Sequence, residues 1–241
     1  MTKRRTGICC REKMSRHASG TRRVVIKTIA VIGANGAGQA FARTSALAGY
    51  QTILEDVSRE MLERGTSSIG STLQESVERG ELQPETRAAA LSCIIPVTGV
   101  EAAIRDADLI IETVPEELEM KLELFTIFDK FAKPGAIFAS STVTLSILEI
   151  SDVTLCRERC IGMRFRKAPV GENVGEPVWK NVAQNVAQNA ARKSNAMELV
   201  CTKLTSEETV RAASEVAQRF TKDFTWLLES APAPPGESSP V

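Results

Sequence analysis

The chain has 241 residues, 43% of them hydrophobic and 25% charged, which is enough apolar material for one or two packed domains and excludes compositional disorder. Its apolar runs are interrupted well short of the ~20 residues that a membrane-spanning helix requires, so no membrane partner is expected. The 30 basic and 30 acidic residues balance, but nine Lys/Arg and one acid fall within residues 1–27; the remaining 21 basic and 29 acidic residues make a mildly acidic body, which argues against a nucleic-acid partner.

Residues 1–25 form a basic leader expected to be disordered. It reads as a transit peptide, as a solvated tail, or as translation begun upstream of a natural start near Val24. A cytoplasmic location follows from the second and third readings and a mitochondrial one from the first. KTIAVIG then reads as a buried strand, GAGQAFARTSALAGY as a helix, QTILEDV as a strand, and SREMLERGTSSIGSTLQESVERG as a long amphipathic helix starting at a serine cap. PETRAAAL opens on Pro84 at a helix first turn. CIIPV, VEAAIRDA, DLIIETV, PEELEMKLELFTIFDKF and GAIFAS continue the alternation of strand and helix. This order predicts an α/β fold of the Rossmann type, a doubly wound, mainly parallel sheet with helices on both faces. Residues 26–165 form that domain, 166–196 read as a divergent insertion with a tandem NVAQ, 197–228 supply a closing strand and helix, and 229–241 form a Pro/Ser-rich tail.

The six cysteines (Cys9, Cys10, Cys93, Cys156, Cys160, Cys201) contain no C-x-x-C pair and are expected as reduced thiols; with His17 as the only histidine, no metal site is expected.

The stretch VIGANGAGQAFA places Gly33 and Gly38 at the first and third glycines of G-x-G-x-x-G, with Asn35 where the middle glycine should stand and Gly36 following it. Asn tolerates left-handed backbone geometry and can donate to a phosphate. A strand before, a helix after, and Asp56 at the end of the next strand, where it would bind ribose hydroxyls, complete a dinucleotide site. Arg59 stands three residues beyond Asp56 and not beside it, so NAD is the expected cofactor and not NADP.

IKTIAVIGANGAGQAFARTSALAGYQTILEDVS, DADLIIETVPEELEMKLELFTIFDKFAKPGAIFASST, LSILEI and RCIGMRF, together with MELV and TSEETVRAASEVAQRF, resemble the NAD-binding domain of the 3-hydroxyacyl-CoA dehydrogenases. The resemblance implies NAD contacts at Asp56, at the backbone of Thr113 and Val114, at Glu116 and Lys121, and at Ser141, which stands where the family has asparagine. It also implies an acyl-CoA as the substrate partner. At the family's catalytic positions this chain departs: ASSTVTL puts Val143 at the substrate-binding serine, GMRFRKA puts Arg164 at the histidine general base, and Cys201 replaces the glutamate that orients that base. The substrate-binding asparagine and the helical dimerisation domain have no counterpart, which leaves the oligomeric state open.

Arginine, with a pKa above 12, cannot accept the substrate's hydroxyl proton. Thr144 is the candidate replacement donor, and Arg164 or Lys167 could polarise a carbonyl in the reductive direction. Three readings follow: a 3-hydroxyacyl-CoA dehydrogenase of strongly reduced activity, an inert NAD-binding relative, or a different β-hydroxyacid dehydrogenase using Lys193. A short-chain reductase is excluded, because Tyr50 is the only tyrosine and Leu54, not lysine, lies four residues on.

Overall fold

A computed structural model of the chain describes residues 24–165 and 196–229. Residues 1–23 of the expected leader, 166–195 of the expected insertion 166–196 and 230–241 of the expected tail 229–241 lie outside the described residues, as do His17, Lys167 and Lys193. The strands are β1 Thr28–Ile32, β2 Gln51–Glu55, β3 Ile94–Val97, β4 Leu109–Glu112, β5 Ile137–Ser140, β6 Cys160–Phe165, β7 Met197–Cys201 and β8 Phe224–Leu228. The helices are α1 Gly36–Leu47, α2 Arg59–Glu78, α3 Pro84–Ser92, α4 Val100–Ile104, α5 Leu118–Phe131, α6 Ile147–Ser151 and α7 Glu207–Phe220. All eight strands join one sheet in the order β3-β2-β1-β4-β5-β6-β7-β8. Every pairing is parallel except β6 with β7.

Local chemistry sets the helix starts. The Ser58 hydroxyl accepts from Met61 N at 3.2 Å to cap α2, Pro84 occupies the first turn of α3, and Ser206 accepts from Thr209 N at 3.2 Å with Glu207 and Glu208 at the positive end of α7. Alternate strand residues then bury against opposite faces. Ile29, Val31 and Ile111 pack with Phe41, Ile69, Leu73 and Val216, whereas Ala30, Ile32 and Ile110 pack with Ile104, Phe125, Phe128 and Phe138. With both faces covered, the central strands are apolar throughout.

The expected closing strand and helix are β7 and α7, but the chain goes on to add β8, parallel to β7 at the sheet edge. Its sequence FTWLL is apolar in four positions of five, but only Phe224 and Trp226 are half-buried while Thr225, Leu227 and Leu228 are exposed, so it lacks the full burial of the central strands.

The first strand-to-helix turn is built on contacts that only glycine allows. Gly33 has φ +104°, and a Cβ on Gly38 would stand 1.8 Å from the Gly33 carbonyl oxygen. At Gly36 a Cβ would meet nothing within 4 Å. Gly38→Ala is therefore expected to destabilise the fold by about 3 kcal/mol in urea denaturation, whereas Gly36→Ala changes stability by less than about 1 kcal/mol; equal effects would show that helix-to-strand contact at Gly38 is not the constraint.

Candidate functional site

The carboxyl ends of β1 and β4 lie side by side where the chain leaves the sheet in opposite directions, which opens a crevice at the point where strand order reverses. Three groups of residues lie in and around it.

The first is the turn after β1. Ala34 N donates to Asp56 Oδ2 at 2.9 Å and Ser58 N to Oδ1 at 3.0 Å, so Asp56 holds the turn from the end of β2. Thr113 Oγ1 donates to the carbonyls of Ile32 at 2.8 Å and Gly33 at 3.1 Å. Asn35 departs from expectation. Its φ is −71° and not left-handed, and its side chain caps α1, with Oδ1 accepting from Ala37 N and Gly38 N at 3.0 Å each and Nδ2 donating to the Thr113 carbonyl. Both ends of the amide are thus engaged by protein, and the side chain is not an idle phosphate donor. The cap occupies two amides of the helix N-terminus and leaves those of Asn35 and Gly36 as the turn's remaining donors. The residues present are compatible with a pyrophosphate here, because the backbone at Gly36 faces open space, Gly33 and Gly38 keep the turn tight, and Asp56 is hydrogen-bonded to the turn at Ala34.

Just before Asp56, Glu55 is 1% exposed and accepts from Gly99 N at 3.3 Å. Burial pushes its pKa up to about 7, with the Gly99 amide opposing and the Asp56 charge adding.

The second group lies beneath the crevice. Glu112 at the end of β4 meets Lys121 Nζ at 2.7 Å and the Ser140 hydroxyl at 2.6 Å, and both charged side chains have no exposure. Burial raises the Glu112 pKa against the opposing Lys121 charge and hydrogen bonds. Lys121 also donates to the Val114 carbonyl at 3.3 Å and lies 3.5 Å from Glu116 Oε2. Lys121 is therefore a hidden anchor, whereas Glu116 reaches over the β5–α6 loop. One Glu116 oxygen accepts from the Thr142 hydroxyl at 2.6 Å, the Val143 and Thr144 amides at 2.8 Å each, and the Thr144 hydroxyl at 3.0 Å. Burial alone would raise the Glu116 pKa, but these donors and Lys121 bring it to about 2. Ser141 sits beside this loop with its amide on the Glu112 carbonyl at 2.9 Å.

The third group surrounds Arg164. Its Nε pairs with Glu198 Oε2 at 2.8 Å across the β6–β7 register, and Nη1 donates to the carbonyls of Thr142 at 3.0 Å and Val143 at 3.3 Å. Beside it lies a cavity of about 320 Å³, lined among others by Val143, Thr144, Ile147, Val200 and Leu228. Val143 is 67% exposed and places an apolar side chain at the rim. Cys201 is not brought to Arg164; it is buried with Val210 and Trp226. The expectation of reduced thiols holds for Cys93, Cys156 and Cys160 and fails at Cys201, which is disulfide-bonded.

Sequence reading missed Glu112, Ser140 and Glu198. An acid ending the otherwise apolar run LIIE, with a lysine nine residues on, was a legible sign of a buried ion pair. Glu198 had no such sign, since only the antiparallel register places it opposite Arg164.

With this geometry in view, residues 28–172 match the 3-hydroxyacyl-CoA dehydrogenase NAD-binding domain, and the chain belongs to that family. It is 37% identical over 141 residues to a 3-hydroxybutyryl-CoA dehydrogenase of Bradyrhizobium diazoefficiens, covering 58% of this chain and 48% of the relative. It is 36% identical over 146 residues to the 3-hydroxyadipyl-CoA dehydrogenase of Escherichia coli K12, covering 60% and 30%. Among solved structures, the 3-hydroxybutyryl-CoA dehydrogenase of Escherichia coli K12 superposes with a TM-score of 0.72 at 29% identity, covering 85% of this chain and 38% of that one. The chain thus spans about half the length, or less, of these relatives. Among the described residues no helix is long and apolar enough to cross a membrane.

The Glu55 geometry carries a pH dependence. Its folded-state pKa is raised, so between the ordinary value of 4.5 and about 7 the folded protein holds a proton that the unfolded chain has released, and stability falls as pH rises through that window. Denaturation series are expected to show Glu55→Gln abolishing this fall, which amounts to at most about 3 kcal/mol; a wild-type profile flat from pH 5 to 7 would contradict it.

Proposed function

We propose that this chain is an NAD-binding oxidoreductase domain of the 3-hydroxyacyl-CoA dehydrogenase type whose conversion of 3-hydroxyacyl-CoA to 3-oxoacyl-CoA is strongly reduced, with an inert NAD-binding relative as the limiting case. The observation that carries this reading is the Arg164–Glu198 ion pair standing where the family has its general base.

NAD, when bound, supplies the hydride acceptor for alcohol oxidation. Gly33, Gly36 and Gly38 shape the pyrophosphate turn, and Asp56 offers its carboxylate to the ribose while steadying the turn through Ala34 N. Thr113, Val114, Glu116 and Ser141 line the remainder of the crevice. Lys121 acts from below by holding Glu112 and Glu116 in place.

Oxidation of a hydroxyl also needs an acceptor for its proton. The Arg164 guanidinium has donors only. The Glu198 carboxylate is engaged by that guanidinium, and Glu116, held near pKa 2 by its donors, is too weak a base at neutral pH. Glu229 is tied to the Ser146 hydroxyl and to the Ile147 and Leu148 amides. In the reverse direction Arg164 remains available to polarise a substrate carbonyl, a weaker contribution than an oriented base.

The full-length chain is therefore expected to oxidise NADH with acetoacetyl-CoA at least on the order of a thousandfold more slowly than a complete dehydrogenase assayed alongside. A rate within tenfold of that enzyme would overturn the proposal and require a proton carrier other than these residues.

A further inference from the structure

At the end of the sheet opposite the crevice, where β6 begins, two thiols, a guanidinium and a carboxylate converge. Cys156 and Cys160 are free and only 2% and 0% exposed. Residues 157–159 form one tight helical turn between them, closed by Arg159 N on the Cys156 carbonyl at 2.8 Å. The turn folds Cys160 back so that its thiol donates to that carbonyl at 3.6 Å, which brings the two cysteine side chains to the same side of the turn. Thr154 Oγ1 is 3.7 Å from Cys160 Sγ, and Asp129 Oδ1 on α5 is 3.4 Å from Cys156 Sγ.

Arg159 supplies a second, independent observation. Its Nε is buried without a hydrogen-bond acceptor, and Glu158 Oε1 is 4.0 Å away. The Glu158 carboxylate is too far for a hydrogen bond and the rest of the Arg159 side chain is about one-third exposed, so a thiolate on Cys156 would give this one buried N–H an anionic neighbour. Nothing in the dehydrogenase reading uses this cluster.

We propose that Cys156 and Cys160 form a thiol–disulfide exchange site for small linear disulfides of the glutathione type, with Cys156 as the attacking sulfur and Cys160 as the resolving one. Cys156 gives its proton to solvent and its Sγ attacks one sulfur of the small disulfide; that S–S bond breaks and one thiolate leaves and takes up a proton. Cys160 then gives up its proton and attacks Cys156 Sγ, forming the internal S–S bond and releasing the second thiolate. The two protein thiols lose two electrons, and one small disulfide becomes two thiols.

The electrostatics favour this order of events. Cys160's hydrogen bond, followed by Arg159, brings the Cys156 thiol down to about 7 against burial and Asp129, whereas the same hydrogen bond and burial push Cys160 upward. Glu158 bears on Cys160 in the same upward sense. Cys156 itself is 2% exposed, so exchange requires the segment around Leu155, which is 95% exposed, to open first.

The test uses the reduced full-length chain incubated with oxidised glutathione at neutral pH, quenched in acid, alkylated and mapped as unreduced peptides. A 156–160 linkage is expected, with Cys156 exchanging at least about tenfold faster than the free, half-buried Cys93. Cys160→Ser should arrest the reaction as a glutathione adduct on Cys156. Arg159→Gln should slow the first exchange at neutral pH but not above pH ~9, where thiols ionise unaided. Exchange at Cys156 no faster than at Cys93, or an adduct that persists in the wild type without linking to Cys160, would overturn the proposal; both readouts come from the wild type and do not depend on the variants folding.

Discussion

The Gly33 carbonyl lies where any side chain at position 38 would have to stand, only 1.8 Å from the place of its Cβ, and this close approach sets the shape of the whole crevice. It forces α1 to start against the end of β1, brings Thr113 from β4 onto the Ile32 and Gly33 carbonyls, and leaves room for Asp56 to hold Ala34 from β2. Three strands are thereby tied to one turn. Asn35 belongs to the same constraint: a turn this tight leaves the first amides of α1 without intrahelical acceptors, and the asparagine side chain supplies one while bonding back to Thr113. The substitution that weakens the dinucleotide fingerprint is, in the fold, a helix cap.

Below the turn, charge does what apolar packing cannot. Glu112 and Lys121 have no exposure, and a single buried ion left unpaired would be strongly destabilising, so the pair, completed by Ser140, fixes the relation of β4, α5 and β5. Glu116 extends this arrangement upward and anchors the loop that carries Val143 and Thr144. That loop is held in place by these hydrogen bonds. Arg164 ties the same loop to β7, since its guanidinium pairs with Glu198 and donates to the Thr142 and Val143 carbonyls.

The sheet was largely legible in the sequence because its central strands are buried on both faces and therefore read as apolar runs between turn and cap signals, as TIAVI and LIIE show. The β8 strand was not, although FTWLL is as apolar as TIAVI: it follows the last helix of the strand–helix alternation, and its leucines are exposed at the sheet edge. Within the site, Gly33, Gly38 and Asp56 were readable from spacing, a local property. The role of Asn35 was misread because its partners include Thr113, 78 residues away, and the tie of Arg164 to Glu198 was unreadable because it spans 34 residues and depends on strand register. Cys201 shows the converse: alignment with a family position did not place its side chain beside Arg164, because it packs toward Val210 and Trp226.

The central claim is that a turn capped by its own asparagine still cradles a dinucleotide, and equilibrium titration of the full-length chain with NADH, followed by cofactor fluorescence, tests it most directly. Saturable binding is predicted, weakened about tenfold by Asp56→Asn through the lost carboxylate at the ribose and unchanged by Arg164→Ala. Absence of saturable binding by the wild-type chain would contradict the account and show that the Asn35 cap has closed the pyrophosphate site.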